Sequence, residues 1–248
     1  MTIMKVTISV QQAKWPAPPH VNAITTYRHG GVSQDSFDSL NLATHVGDEY
    51  EAVKENRARL CRYMRFPNEP IWLNQVHGDH VIQANHLARD SIADGSYTTE
   101  RGTVCAILTA DCLPLFLTDK SGTIVCLLHV GWRGLTAGII ESGVAAMNID
   151  PYKLLVWLGP CIRRDAYVVG QDVREQLILS FPEHATAFEE SHGKWRADLG
   201  KMTTQRLRSL GVAEIHDGGS CTFMDDSSWF SYRRQGHCGR MASLIWLD

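Results

Sequence analysis

Three positions in this sequence end or interrupt apolar runs with side chains that bind borderline metal ions or carry protons: His77 in NQVHG, Cys112 in TADCLP and His129 in LLHVGW. Two neutral imidazoles and a thiolate suit zinc and leave a fourth position for water or substrate, as a catalytic metal requires. The same atoms read without a metal as a thiol nucleophile, Cys112, with His129 or His77 as its base and Asp111 nearby. A third reading is structural: a buried thiol and two histidines bonded to carbonyls. Spacing leaves all three open, because the residues lie on separate segments and distance along the chain does not fix distance in space.

The turn after His129 adds two groups. Arg133 carries a planar fork suited to phosphate or carboxylate, with a structural salt bridge as the alternative. Trp132 can stack on a flat ligand or fill the core. The motifs HExxH, GxSxG, Walker A and GxGxxG are all missing, which removes the usual support for zincin, α/β-hydrolase, P-loop and dinucleotide-binding readings. His77 and His80 form an HxxH pair, but on a turn His80 need not face the same way.

These groups sit in a chain of 248 residues, 44% hydrophobic, with ample material for a packed core. A net charge of -3 and a pI near 6.4 give no global pull toward nucleic acid or an anionic membrane. No stretch approaches the roughly 20 apolar residues that span a bilayer, and the N-terminus reads as no export signal. Seven cysteines, odd in number and without a CxxC pair, argue against a disulfide framework and fit a reducing cytoplasm.

The positioning elements follow from periodicity. KVTISV and VNAITTY read as strands, followed by the long Gly- and Asp-rich loop RHGGVSQDSFDSLNLATHVGD, a candidate binding loop. EYEAVKENRARLCRYMRF places Val53, Leu60, Tyr63 and Met64 at helical spacing, and Pro67 is expected to end that helix. TVCAILTADCLPLFLTDKSGTIVCLLHV reads as three strands, with DKSG a hairpin turn and ADCLP a kink or loop. GLTAGIIESGVAAM predicts one helix carrying Leu135, Ile139, Ile140, Val144 and Met147 on one face in spite of its glycines. KLLVWLGPC reads as a buried strand, VREQLILSF and DLGKMTTQRLRSLG as helices, and AEIHD, WFSYRR and MASLIWLD as closing strands. Strands outnumber helices and do not alternate with them, and no linker or repeat divides the chain. The expected class is α+β, with residues 1–248 as a single domain of mixed β-sheets flanked by helices.

The words NQVHG, TADCLP, HVGWRG and LGPCI, the ending FSYRRQGHCGRMASLIWL, and YRHGGVS and SLNLATHVGD near the start together resemble the YfiH family, also called the laccase-domain or polyphenol oxidase family. The resemblance runs over nearly the whole chain. It implies α/β/β/α layers similar to the catalytic domain of cytotoxic necrotizing factor toxins, and it implies that His77, Cys112 and His129 are zinc ligands, copper being the other metal associated with the family. It further implies purine nucleoside phosphorylase activity on adenosine, inosine and methylthioadenosine, with adenosine deaminase activity beside it. The partners expected are then a small-molecule nucleoside and phosphate, with no nucleic acid and no membrane. Editing of peptidoglycan precursors and copper-dependent oxidation of phenols are the two other activities associated with the family; the latter needs a redox metal, which zinc is not.

Phosphorolysis needs a bound phosphate. Arg28 in YRHGGVS, followed by a glycine-rich backbone, is the preferred anion cradle, and Arg133 is the second candidate. Asp111 is a candidate for orienting a histidine or for acid–base work, with a structural role as the alternative. IADGSYTT departs from the family pattern at Gly95 and Tyr97, which puts substrate contacts from that loop in doubt. Arg233 and Arg240 match family arginines, and structural ion pairs are expected for both.

Overall fold

The long apolar stretch ending at Val130 is cut twice by turns, and each cut sends the chain to a different place in the computed structural model, which describes residues 7–66, 68–85 and 87–248. Before the stretch come β1 (Val10–Gln12), β2 (Val21–Thr26), α1 (Tyr50–Met64), β3 (Val81–Gln83) and β4 (Gly95–Thr98). The stretch itself forms β5 (Cys105–Thr109), β6 (Leu113–Asp119) and β7 (Val125–Val130). After it come α2 (Trp132–Ala137), α3 (Ile139–Met147), β8 (Leu154–Leu158), β9 (Val168–Val169) and α4 (Gln171–Ser180). The chain then runs through β10 (Phe188–Ser191), β11 (Lys194–Ala197), α5 (Leu199–Ser209), β12 (Glu214–Asp217), α6 (Tyr232–Gln235) and β13 (Met241–Leu247).

The strands form a four-stranded sheet in the order β1-β2-β13-β5, a six-stranded sheet β12-β8-β6-β7-β4-β3, and a small sheet β10-β11-β9. Both faces of the six-stranded sheet are covered at its centre, so β6, β7 and β8 read as nearly unbroken apolar runs. Leu115 and Leu117 of β6 and Cys126 and Leu128 of β7 cluster with Ile140 of α3 and Met202 of α5. Phe116 and Leu127 face the other way, onto Ala23, Ile107 and Ile245 of the four-stranded sheet. The far side of that sheet, through Ile24, Ala106 and Leu244, packs on Leu60 of α1. Helix, sheet, sheet and helix are therefore the layers, and the class is α+β as expected. Leu60 is fully buried, and cutting such a side chain to alanine costs about 2–5 kcal/mol.

The two cuts differ in kind. At DKSG the Asp119 carboxylate accepts from the backbone N–H of Ser121, Thr123 and Ile124, and Gly122 supplies φ +66, closing the expected β6–β7 hairpin. At ADCLP the chain leaves the four-stranded sheet after β5 and enters the six-stranded sheet with β6. The expected loop is thus the crossover between the two sheets.

Several expectations are corrected. GLTAGIIESGVAAM forms two helices, not one, because Gly138 sits at φ +99 and ends α2, although all five residues assigned to its apolar face are buried. WFSYRR is not a strand: Trp229 and Phe230 are core residues, and the Ser231 hydroxyl caps α6 by accepting from Arg234 N–H at 3.2 Å. In KVTISV, Lys5 and Val6 lie outside the described residues, and β1 begins only at Val10. Pro67 also lies outside them, and α1 stops at Arg65, which is left-handed with φ 55. Tyr63, assigned to the buried face of that helix, is exposed. IADGSYTT contains β4 rather than a loop. A Cβ on Gly95 would lie 2.5 Å from Leu128 Cδ2, so strand packing alone requires glycine there. Among the described residues, no helix is long and apolar enough to cross a membrane.

Candidate metal centre

His129 is next to last in β7 and is 3% exposed. Its ring Nδ1 lies 2.8 Å from Asp94 Oδ1, and its backbone N–H donates to the Asp94 carbonyl at 2.7 Å. His77 sits in a curled turn at φ +61. The N–H groups of Val76, His77 and Gly78 all donate to the Asp94 carboxylate, at 3.0, 2.9 and 2.7 Å. Cys112 ends the crossover just before β6. The ligand atoms of His77, Cys112 and His129 all lie within 4.8 Å of one another, and the two imidazole rings meet edge to face at 4.7 Å.

A tetrahedral zinc site has edges of about 3.3–3.8 Å, so the widest donor pair must close by up to about 1–1.5 Å to hold an ion. Gly131 makes room for them: a Cβ there would lie 3.1 Å from Cys112 Sγ and 3.1 Å from His77 Cδ2. Two imidazoles and a thiolate grouped in this way fit a borderline divalent ion.

The charges are coupled. Burial pushes the Cys112 thiol up, but the charge of His129 and hydrogen bonds from His129 and His77 outweigh it and bring the thiol well below its ordinary value. His129 moves the opposite way: burial lowers it, while the Cys112 thiolate and Asp94 raise it further. Burial works to raise Asp94 too, but hydrogen bonds from His129 and the Gly78 N–H hold it below the usual carboxylate range. The site favours a thiolate, the form that binds metal or attacks carbon.

The three donors open into a cavity of about 750 Å³, within the range of small-molecule sites. Asp111 and Arg133 line it, as do His45, Arg233 and Arg240. Arg133 stacks its guanidinium over Trp132 at 4.3 Å. The structure does not bring Arg28 to this cavity. Its Nε and Nη1 donate to the carbonyls of Asp38 and Asp226, and its guanidinium lies over Phe230 at 4.7 Å. The glycine-rich loop beyond it is tied down from within, Asn56 accepting from Val32 N–H and donating to the Asn41 carbonyl.

Among the described residues, Asp111 bonds to no histidine. It holds the crossover at φ +95, its Oδ1 accepting from the Thr222 hydroxyl and its Oδ2 from Arg233 N–H, both at 2.7 Å. Arg233 and Arg240 donate to backbone carbonyls, those of Val168 and Cys238, where ion pairs were expected. Asp94 is the residue that sequence reasoning passed over. It stands directly ahead of the short strand GSYT, which carries no apolar run, and that position was read as part of a loop.

The pattern of the family described as multi-copper polyphenol oxidoreductase laccase matches residues 22–248. A Pseudomonas aeruginosa protein named purine nucleoside phosphorylase PA4543 is 46% identical over 236 residues, covering 94% of this chain and 96% of that one. An Escherichia coli protein named purine nucleoside phosphorylase YfiH is 43% identical over 235 residues, covering 94% and 97%. The crystal structure of Neisseria meningitidis protein NMB0706 superposes with a TM-score of 0.92 at 44% identity, covering 96% of this chain and 99% of that one.

Proposed function

The chain belongs to the multi-copper polyphenol oxidoreductase laccase family, and from that membership we propose that it is a cytoplasmic, zinc-dependent purine nucleoside phosphorylase that also deaminates adenosine. The observation that carries the reading is the grouping of His77, Cys112 and His129 on the wall of a cavity of about 750 Å³ that Arg133 also lines. The names of the Pseudomonas and Escherichia relatives support the phosphorolytic half. Adenosine, inosine and methylthioadenosine are the proposed substrates.

In phosphorolysis a phosphate oxygen bonds to the anomeric carbon while the N-glycosidic bond breaks, and the purine leaves with the bonding pair and gains a proton. Arg133 binds the phosphate; its fork is held flat against Trp132, which lowers the entropy lost on binding. Arg233 and Arg240 add positive potential from the opposite end of the chain. His45 is kept neutral by burial and by Arg240 and Arg57, so it can donate to or accept from a purine edge. A zinc ion held by His77, Cys112 and His129 supplies Lewis-acid polarisation when bound.

Zinc-loaded protein incubated with adenosine and phosphate is expected to yield adenine with ribose 1-phosphate, and inosine with ammonia. Chromatography that finds none of these products overturns the proposal.

One observation favours a second reading. The depressed thiol of Cys112 beside His129 is also the arrangement of a thiol enzyme, such as a hydrolase acting on cell-wall precursors. Metal analysis separates the two: one zinc per chain that survives mild chelation and is lost in Cys112→Ala removes the free nucleophile. Bound copper with dioxygen uptake on phenols would replace both readings by an oxidase.

A further inference from the structure

We propose that Asp94 is the positioning residue of the metal group, one carboxylate that sets the backbone turn of His77 and the ring tautomer of His129 together. The proposal rests on His77, Cys112 and His129 being ligands and is independent of which reaction they serve.

Asp94 is fully buried and carries no ion pair with lysine or arginine among the described residues. Its charge is met by four donors shared evenly between its oxygens. Oδ1 takes the N–H of His77 and Nδ1–H of His129, and Oδ2 takes the N–H groups of Val76 and Gly78. Four donors fill the accepting sites of a carboxylate, and only an ionised acid can receive them all.

Two consequences follow for the ligands. Three neighbouring N–H groups that converge on one acid curl the chain, and His77 is carried on that curl with φ +61, a conformation that a non-glycine residue rarely adopts. Without the acid the curl has no common acceptor and nothing to offset its strain. At His129, an acceptor-only partner requires the proton to sit on Nδ1. In the neutral ring, the form that binds a metal, the lone pair is then on Nε2, on the side where Cys112 and His77 lie.

Asp94 is itself placed by sheet register. It immediately precedes β4, whose Gly95 pairs with Leu128, and its own N–H donates to the His80 carbonyl at 2.9 Å. The two ligands farthest apart along the chain in this set are thus referred to one carboxylate at the head of β4. Asparagine cannot replace it: its NH2 would face either the N–H pair of Val76 and Gly78 or the donors His77 N–H and His129 Nδ1–H. In the second case His129 is pushed to the Nε2–H tautomer, whose lone pair points away from the ion.

The test is zinc affinity, by competition with a chromophoric chelator, for wild type, Asp94→Asn and Asp94→Ala, with circular dichroism confirming the fold of each metal-free protein. Both variants are expected to bind zinc about 10–100-fold more weakly. A folded variant within about threefold of wild type overturns the proposal. Because loss of a buried acceptor also strains folding, the second measurement uses only the wild type: long-range 1H–15N correlation on the zinc-loaded, 15N-histidine protein. His129 is expected to show a protonated Nδ1 and a metal-shifted Nε2, and a protonated Nε2 overturns the proposal whether or not the variants fold. Failure of phosphorolysis in the same zinc-loaded protein would remove the proposed activity and leave these two readouts standing.

Discussion

Gly131→Ala isolates the metal group from the fold. Gly131 has φ -93 and ψ 168, an extended backbone that alanine adopts without cost. The added Cβ meets Cys112 Sγ and His77 Cδ2, each at 3.1 Å. Ordinary contacts between such atoms lie near 3.5–4.0 Å, so each ligand must retreat by roughly 0.5 Å. A metal site tolerates about 0.2 Å in its bond lengths, and donors already spread over as much as 4.8 Å have no slack to give. The expected result is a loss of about tenfold or more in zinc affinity, or about 1.4 kcal/mol, with a matching fall in kcat/KM for phosphorolysis. Metal-free stability should hold, because replacing glycine at a compatible backbone position gains about 0.4–1 kcal/mol through the unfolded chain. Zinc competition, phosphorolysis kinetics and calorimetry of the metal-free protein measure the three quantities. Wild-type zinc affinity and rate in a folded Gly131→Ala protein would refute the reasoning, because Cys112 and His77 cannot hold their places around one ion and also accommodate the methyl group.

Other perturbations separate binding from structure. Arg133→Ala is expected to raise the KM for phosphate about tenfold, the value of one charge-assisted contact, with little change in Tm. Arg28→Ala is expected to do the reverse, lowering Tm while leaving the phosphate KM unchanged, because its guanidinium serves two carbonyls and Phe230. Metal analysis of Cys112→Ala should find the ion lost together with phosphorolysis, since two imidazoles alone bind zinc weakly. On the acid side, Asp217 is held below the usual carboxylate range; burial raises it, but the bidentate Arg163 contact at 2.6 and 2.7 Å outweighs that. A depressed folded value stabilises the protein above the ordinary value of about 3.9 and loses that stabilisation as pH falls below it. Asp217→Asn should therefore lower Tm at neutral pH and flatten its fall below about pH 4 in calorimetric scans.

Much of the architecture was legible in residue order. Strands buried on both faces need continuous apolar runs, and β6, β7 and β8 were found by that property. The hairpin at DKSG was legible because a turn depends on only four neighbouring residues. Where the reading failed, a local preference was overridden. Gly138 broke a helix whose apolar face was otherwise correct, and the Ser231 cap turned WFSYRR from strand to helix. The small sheet β10-β11-β9 went unseen because its strands are short and half exposed, and such strands carry little pattern.

For the site, the sequence by itself determined the chemistry on offer: an imidazole, a thiol and a second imidazole, each at the end of a run that had to be buried. It could not say that they meet. Coordination is decided over a few ångströms of space, and only the crossover from one sheet to the other carries Cys112 to the end of β7. The same holds for the arginines, whose identical side chains differ only in surroundings: Arg28 is taken up by carbonyls and Arg133 faces the cavity. Asp94 shows this best, since nothing in its neighbours along the chain tells that four donors from two other segments converge on it. Which groups could act is written in their types; which of them act together depends on distances that exist only after the sheets have packed.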